Sequence, residues 1–220
     1  MFPRLFLVIA ALGAVIPSPV SPGPAASGTI RGRVDLRGGN PETAARVAVT
    51  DLTMSASHPP TDRRSVVYLD PAPRAAFDAR EEPRPRLDQR SETFEPHVLP
   101  IVAGTTVDFP NQDPIFHNVF SVSPVKRFDL GKYPRGHSKQ VTFRKAGLVQ
   151  VFCDIHPSMA CFILVLPNRA FARPKDDGSF ALPKLPAGTY TVKAWHPDFG
   201  EQTRTVKVPS SGEVALDLEF

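Results

Sequence analysis

The stretch "VFCDIHPSMACF", residues 151–162, sets Cys153, His156 and Met159 three residues apart. A thiolate, an imidazole and a thioether form a soft donor set, suited to copper and poorly suited to magnesium or calcium. These donors do not finish a site. A trigonal arrangement of one cysteine and two histidines, with a weak axial methionine, needs a second imidazole from a neighbouring strand. The competing reading joins Cys153 to Cys161, the only other cysteine, in the disulfide that is the ordinary state of a cysteine pair in an exported protein. That bond would consume the thiolate and leave His156 and Met159 without a partner.

The second imidazole has five candidates: His58, His97, His117, His137 and His196. His58 lies in a polar stretch, His196 in the C-terminal region, and His137 in the turn-like "YPRGHSKQ". His97 follows "FEP" at the start of a strand pattern and is a weaker alternative. His117, in "VDFPNQDPIFHNVFS", combines a defined place after a strand and a turn with apolar neighbours Phe116 and Val119.

Outward from these residues the pattern is β throughout. The 220 residues include 25 prolines, scattered rather than periodic, and helix-period apolar patterns are essentially absent. Val149, Val151 and Cys153 share one parity and should face one buried side. "CFILVLP" is a nearly continuous apolar run, the mark of a central strand. "HVLPIVAGTTVDFPN" reads as two strands about a turn at Gly104, and "KQVTFRKAGLVQVFC" as two strands divided at Lys145–Gly147. Upstream, "GTIRGRVDLRGGNPETAARVAVTDL" gives short β-prone runs around the turn signal "GGNP", and Ser65 to Leu69 a further short strand. Residues 71–91 mix charge of both signs with proline and read as an exposed polar loop or linker. The tail from "DDGSFALP" onward alternates at Tyr190, Val192 and Ala194 and again at Val214, Leu216 and Leu218, as a small β-sandwich would.

The N-terminus has the form of a signal peptide over residues 1–26: Arg4, an apolar run from Leu5 to Ile16, then small residues with cleavage near Ala25 or Ala26. A membrane anchor is the alternative, but the run is short for a bilayer span. The first 152 residues hold no cysteine for a lipid anchor. The expectation is a periplasmic or otherwise exported protein with no stable membrane insertion after cleavage. Its net charge of +4, less Arg4, is too small and dispersed to imply nucleic acid.

"VDFPNQDPIFHNVF" followed by "FCDIHPSM" resembles the blue-copper cupredoxins, in particular the amicyanin-like and plastocyanin-like branch with a short Cys-x-x-His-Pro-x-Met loop. The resemblance spans residues 92–166 and presents the ligand types in the family order His, Cys, His, Met. It implies a cupredoxin Greek-key β-sandwich holding one copper per chain, cycling between Cu(I) and Cu(II). By that resemblance the ligands are His117, Cys153, His156 and Met159. Asn118 matches the asparagine that ties the two ligand segments together, Pro157 stiffens the loop, and Gly104 and Phe109 match the strand framework. The chain also resembles exported cupredoxin-like proteins labelled methylamine utilization proteins. "AGTYTVKA" and "GTIRGRVDLRGG" resemble the small sandwich modules related to the regulatory domain of metallocarboxypeptidases, which implies an accessory module built from residues 29–70 and 167–220 without peptidase chemistry.

The expected function is transfer of one electron between redox partners, with no substrate chemistry: no Ser-His-Asp order and no open zinc set supports an enzyme. Lys126, Arg127, Lys132, Arg135, Lys139, Arg144 and Lys145 face one acid, Asp129, over the same segment. They form either an ordinary solvated face or a steering patch for an acidic redox protein or membrane redox complex. The second functional reading is a copper-holding or structural envelope module in which the metal does not cycle. A third is a metal-free β-sandwich that binds carbohydrate or protein, which would make the ligand order accidental.

Overall fold

The computed structural model describes residues 27–36, 64–72 and 84–220. The signal-peptide reading of residues 1–26, the strand reading of "ARVAV", the "GGNP" turn and His58 lie outside the described residues. Within them the protein is all-β, as its composition suggests.

Eighteen strands are described. The chain enters with β1 (Ser27–Asp35) and β2 (Val66–Leu69). Then come β3 (Asp88–Arg90), β4 (Thr93–Glu95), β5 (Val98–Val102), β6 (Thr105–Pro110) and β7 (His117–Ser121). They are followed by β8 (Phe128–Tyr133), β9 (Ser138–Phe143), β10 (Gly147–Phe152) and β11 (Ala160–Leu166). The last group is β12 (Phe171–Ala172), β13 (Ser179–Ala181), β14 (Leu185–Pro186), β15 (Gly188–His196), β16 (Gly200–Val208), β17 (Gly212–Ala215) and β18 (Leu218–Glu219).

Strands β3 to β11 build a central sandwich. A five-stranded sheet in the order β5-β11-β10-β7-β8 faces the pairs β6-β9 and β3-β4. Inward side chains from both layers, including Phe109, Phe143, Val149, Val151 and Ile163, share one core. The parity of Val149, Val151 and Cys153 holds, and all three are buried in that core. The turn at Gly104 has φ +97°, a conformation that favours glycine.

The remaining strands build a second sandwich from both ends of the chain. β1 pairs antiparallel with β13 and β14 and parallel with β17 and β18. The facing sheet runs β12-β2-β15-β16. Ile30, Leu69, Leu185, Val192 and Leu218 lie in its core.

The two sandwiches meet face to face. Val98, Leu164 and Leu166 on one side pack with Val66 and Tyr68 on the other, with Phe162 and Trp195 in edge-to-face contact at 5.6 Å. β2 is therefore buried on both faces, and β11 on both faces over most of its length. That accounts for the unalternated runs "VVYL" and "CFILVL": a strand between two cores has no polar side.

The reading of residues 71–91 as an exposed linker needs correction from Arg84 onward. Leu87 and Gln89 are fully buried, and β3 lies parallel to β6 through bridges Arg86↔Asp108 and Gln89↔Asn111. Every second residue here points inward, while Arg84, Arg86, Asp88 and Arg90 on the outer parity supply the charge that made the stretch look solvated.

Candidate metal centre

The site forms where β7 begins and β10 ends, at one end of the central sandwich. His117 opens β7 and is fully buried. Cys153 follows β10 directly and is 5% exposed. The chain then turns back on itself: the Met159 amide donates to the His156 carbonyl at 2.9 Å, and the Cys153 amide to the Met159 carbonyl at 3.2 Å. Two hydrogen bonds thus close a seven-residue loop whose first, fourth and seventh members are Cys153, His156 and Met159.

The donor atoms of His117, Cys153 and His156 all lie within 4.8 Å of one another. Nδ1 of His117 is 3.0 Å from Nδ1 of His156, and Cys153 Sγ is 3.9 Å from that same His156 nitrogen. Donors held about 2.0–2.1 Å (nitrogen) and about 2.3 Å (sulfur) from one shared ion, at roughly trigonal angles, stand about 3.0–3.6 Å (N to N) and about 3.5–3.9 Å (N to S) apart. The two separations to His156 match those spans, and His117 and Cys153 lie within 4.8 Å of each other, so the group could gather around one small ion of soft or borderline character after a short closing movement. Met159 is fully buried in the core cluster that also holds Cys153. His156 is half-buried, and Pro157 after it is exposed, as are Ile115 and Phe116 before His117.

Asn118 ties the start of β7 to the loop after β10. Its Oδ1 accepts from the Asp154 amide at 3.4 Å, and its Nδ2 donates to Asp129 at 2.7 Å. Cys161 sits one strand over, opposite Val151, and is buried with a free thiol; Cys153 is free as well, so no disulfide joins them. Cys161 does not belong to the converging group. Burial pushes its thiol well above the ordinary value. His97 packs edge-to-face on Phe162, His137 is exposed, and His196 lies buried in the second sandwich against Phe199 and Phe220. None of the three belongs to the converging group.

The basic residues ring the edge strands of the central sandwich. Lys132 lies on β8 opposite Asn118, Lys139 on β9, and Arg144 and Lys145 in the turn before β10; Arg127, Lys132, Arg135, Lys139, Arg144 and Lys145 are exposed and Lys126 is half-buried.

Sequence reasoning missed the support beneath His117. Asp113 is 6% exposed and its carboxylate receives three donors: the Ser91 amide at 2.6 Å, the Glu92 amide at 2.9 Å and His117 Nε2 at 2.8 Å. Burial alone raises the Asp113 carboxyl, but the Glu92 amide, the His117 ring and the Ser91 amide outweigh it and hold it below the ordinary value. Ser91 and Glu92 form the β3–β4 turn with φ of 52° and 55°, a region that costs a non-glycine residue about 1–3 kcal/mol. Asn111 secures the intervening loop, accepting from the Asp113 amide and donating to the Ile115 and Tyr133 carbonyls. The signal was present in "NQDP", an Asx-turn pattern four residues ahead of the histidine, but it read only as a turn.

Partial similarities to solved structures are found. A purple cupredoxin from Nitrosopumilus maritimus matches at 21% identity over 37% of this chain and 99% of its own, with a TM-score of 0.35. A point mutant of amicyanin in its Cu(I) form matches at 23% over 46% of this chain and 98% of its own, with a TM-score of 0.37. A copper-containing nitrite reductase from Thermus scotoductus SA-01 matches at 28% over 44% of this chain but only 25% of its own, with a TM-score of 0.37. No family model matches the chain. No curated protein matches it either.

Proposed function

We propose that this chain is an exported, mononuclear type 1 copper protein of cupredoxin kind that carries one electron between redox partners. The observation that carries the reading is that ring nitrogens of His117 and His156 and the Cys153 sulfur, from the start of β7 and the loop after β10, lie within 4.8 Å of one another. Copper bound there would supply a one-electron Cu(I)/Cu(II) couple.

The chain's own residues do the rest. Cys153 offers a thiolate at the end of a buried strand, where water is excluded. His117 and His156 would offer imidazole nitrogens that suit either oxidation state, and Met159 on the same closed loop would add a thioether sulfur. A scaffold that already sets these donors in place limits the rearrangement between oxidation states. His156, half-buried and followed by exposed Pro157, is the port for electrons. Lys132, Arg135, Lys139 and their basic neighbours steer an acidic redox protein or membrane complex. Export rests on the N-terminal sequence pattern, and among the described residues no helix is long and apolar enough to cross a membrane. The methylamine utilization label and the carboxypeptidase-regulatory-like character of the second sandwich belong to the same reading.

One observation favours a copper-holding or structural role instead. The second sandwich is packed against the metal-bearing one through Tyr68, Leu164 and Trp195, more scaffold than a small carrier needs. Titration with Cu(II) separates the outcomes. An intense visible thiolate charge-transfer band at one equivalent, together with rapid exchange of an electron with an acidic redox protein, is the expected result. A band without exchange would favour storage, and no band would end the copper reading.

A further inference from the structure

We propose that the cavity at the joint of the two sandwiches, on the pole away from the donor cluster, binds a small carboxylate with a compact apolar body, held by Arg84 and Arg169.

The cavity has a volume of about 760 Å³, within the roughly 300–1,000 Å³ of ordinary small-molecule sites, which favour domain joints. Both sandwiches contribute to it. Arg84, Ile101 and Thr105 come from the central one, Arg169 from the connection that leaves it, and Phe171 from β12 of the second. Ile101 and Val102 pair with Val165 and Leu166, at the end of β11 opposite the one that Met159 joins. The cavity is therefore separate from the 153–159 loop, and the inference stands apart from the copper reading.

The chemistry of the lining selects the ligand. Among the described residues, two guanidiniums and no acidic side chain line the cavity. Each guanidinium carries five N–H donors in a planar fork that fits a carboxylate. One acid lies behind the wall: Asp108 Oδ1 is 3.7 Å from Arg84 Nη1, too far for a hydrogen bond. That contact takes up none of the Arg84 donors. Thr105 and Thr106 add hydroxyls, and Pro100, Ile101, Val102 and Phe171 make the rest apolar. A bare inorganic anion would leave the apolar part unfilled. A neutral hydrocarbon would desolvate the cations without pairing them. A carboxylate on an apolar body satisfies both.

The walls are set without a ligand. The Asp108 amide donates to the Pro85 carbonyl at 3.0 Å and the Leu87 amide to the Asp108 carbonyl at 2.8 Å, which ties the stretch after Arg84 to β6. Arg169 stands between two pinned neighbours. Asn168 Oδ1 accepts from the Ala170 amide at 2.8 Å, and the carbonyl of fully buried Ala170 accepts from the Leu69 amide at 2.9 Å. Pro85, Pro100 and Pro183 add lining residues of fixed φ. Binding therefore has little backbone ordering to offset.

The probe is phenylacetate, titrated into the full chain and followed by amide chemical shifts and by the urea midpoint. Saturable shifts at Ile101, Thr105 and Phe171 are expected, with a raised midpoint because the ligand binds only the folded state. Arg84→Gln and Arg169→Gln should each weaken binding about tenfold or more. Phenylethanol, which keeps the body without the charge, and inorganic phosphate, which keeps charge without the body, should both bind more weakly by a similar factor. No saturable shift at these residues in the natural protein overturns the proposal, whatever the variants do. Equal binding of the alcohol reduces the cavity to an apolar cleft, and equal binding of phosphate to an unselective anion site; either result overturns it too. So does unchanged affinity in both folded arginine variants.

Discussion

The two sandwiches use the same β-sheet physics for different ends. The second keeps an apolar core, and among the described residues its buried polar members are few: Arg64, Ser65 and His196. The central one gathers Gln89, Asn111, Asp113, His117 and Asn118 at a single end and connects them by hydrogen bonds. Alternation of apolar and polar residues makes both sheets. Only where the alternation gives way, in the loops 111–116 and 153–159, does one of them acquire chemistry. Satisfied members of a buried polar network rigidify one another; here Asn111, Asp113, His117 and Asn118 are paired, while Gln89 pairs through Nε2 and leaves its Oε1 without a partner.

The largest expected effect breaks the contrast at its centre. Cys153→Ser should remove the visible copper band completely while urea unfolding of the metal-free chain shifts little, since the replacement is close in size. A variant that keeps the band would place the thiolate elsewhere. Gly32→Ala attacks the other sandwich: an added Cβ would stand 1.7 Å from the Leu216 carbonyl oxygen. Backbone cannot give that much, so a loss on the order of 3 kcal/mol is expected, with the copper band retained. Loss of both together would mean that the sandwiches fold as one unit.

Leu164→Ala probes the joint between them. Leu164 is 7% exposed, and its truncation should cost about 2–3 kcal/mol, read as a shift in the urea midpoint. The smallest effect concerns Cys161. Its folded-state thiol is raised above the ordinary 9.0, so its contribution is whole below that value and lost as pH climbs from there through the folded value. Cys161→Ala should flatten the alkaline fall in stability, and thiol reagents should modify Cys161 only on unfolding. Ready modification of the native protein would contradict its burial.

The loop that carries Cys153, His156 and Met159 was legible as a donor-rich turn because its spacing is local. Three donors within seven residues need no tertiary knowledge, and the Val149–Val151–Cys153 parity shows which way the cysteine points. The doubly buried strands were half-legible: "CFILVL" declared a central strand, but not that its outer face would meet a second core. The hairpin was hidden by its own outer charges, since Leu87, Gln89 and Phe94 are too few and too spaced to outweigh them in composition. Asp113 showed its turn-forming side only, because its partners Ser91, Glu92 and His117 are assembled by folding. Pairing of β1 with strands beyond residue 178 has no local signature at all.

That pairing has a consequence for the order of assembly. Strands β3 to β11 occupy one unbroken stretch, Asp88 to Leu166, whereas β1 must find partners between Ser179 and Glu219. Closing long loops is slow and leaves strand edges exposed meanwhile. As the chain appears from its N-terminus, the central sandwich can therefore close and bring His117, Cys153 and His156 together while β1, the earliest described strand to emerge, still waits for the last.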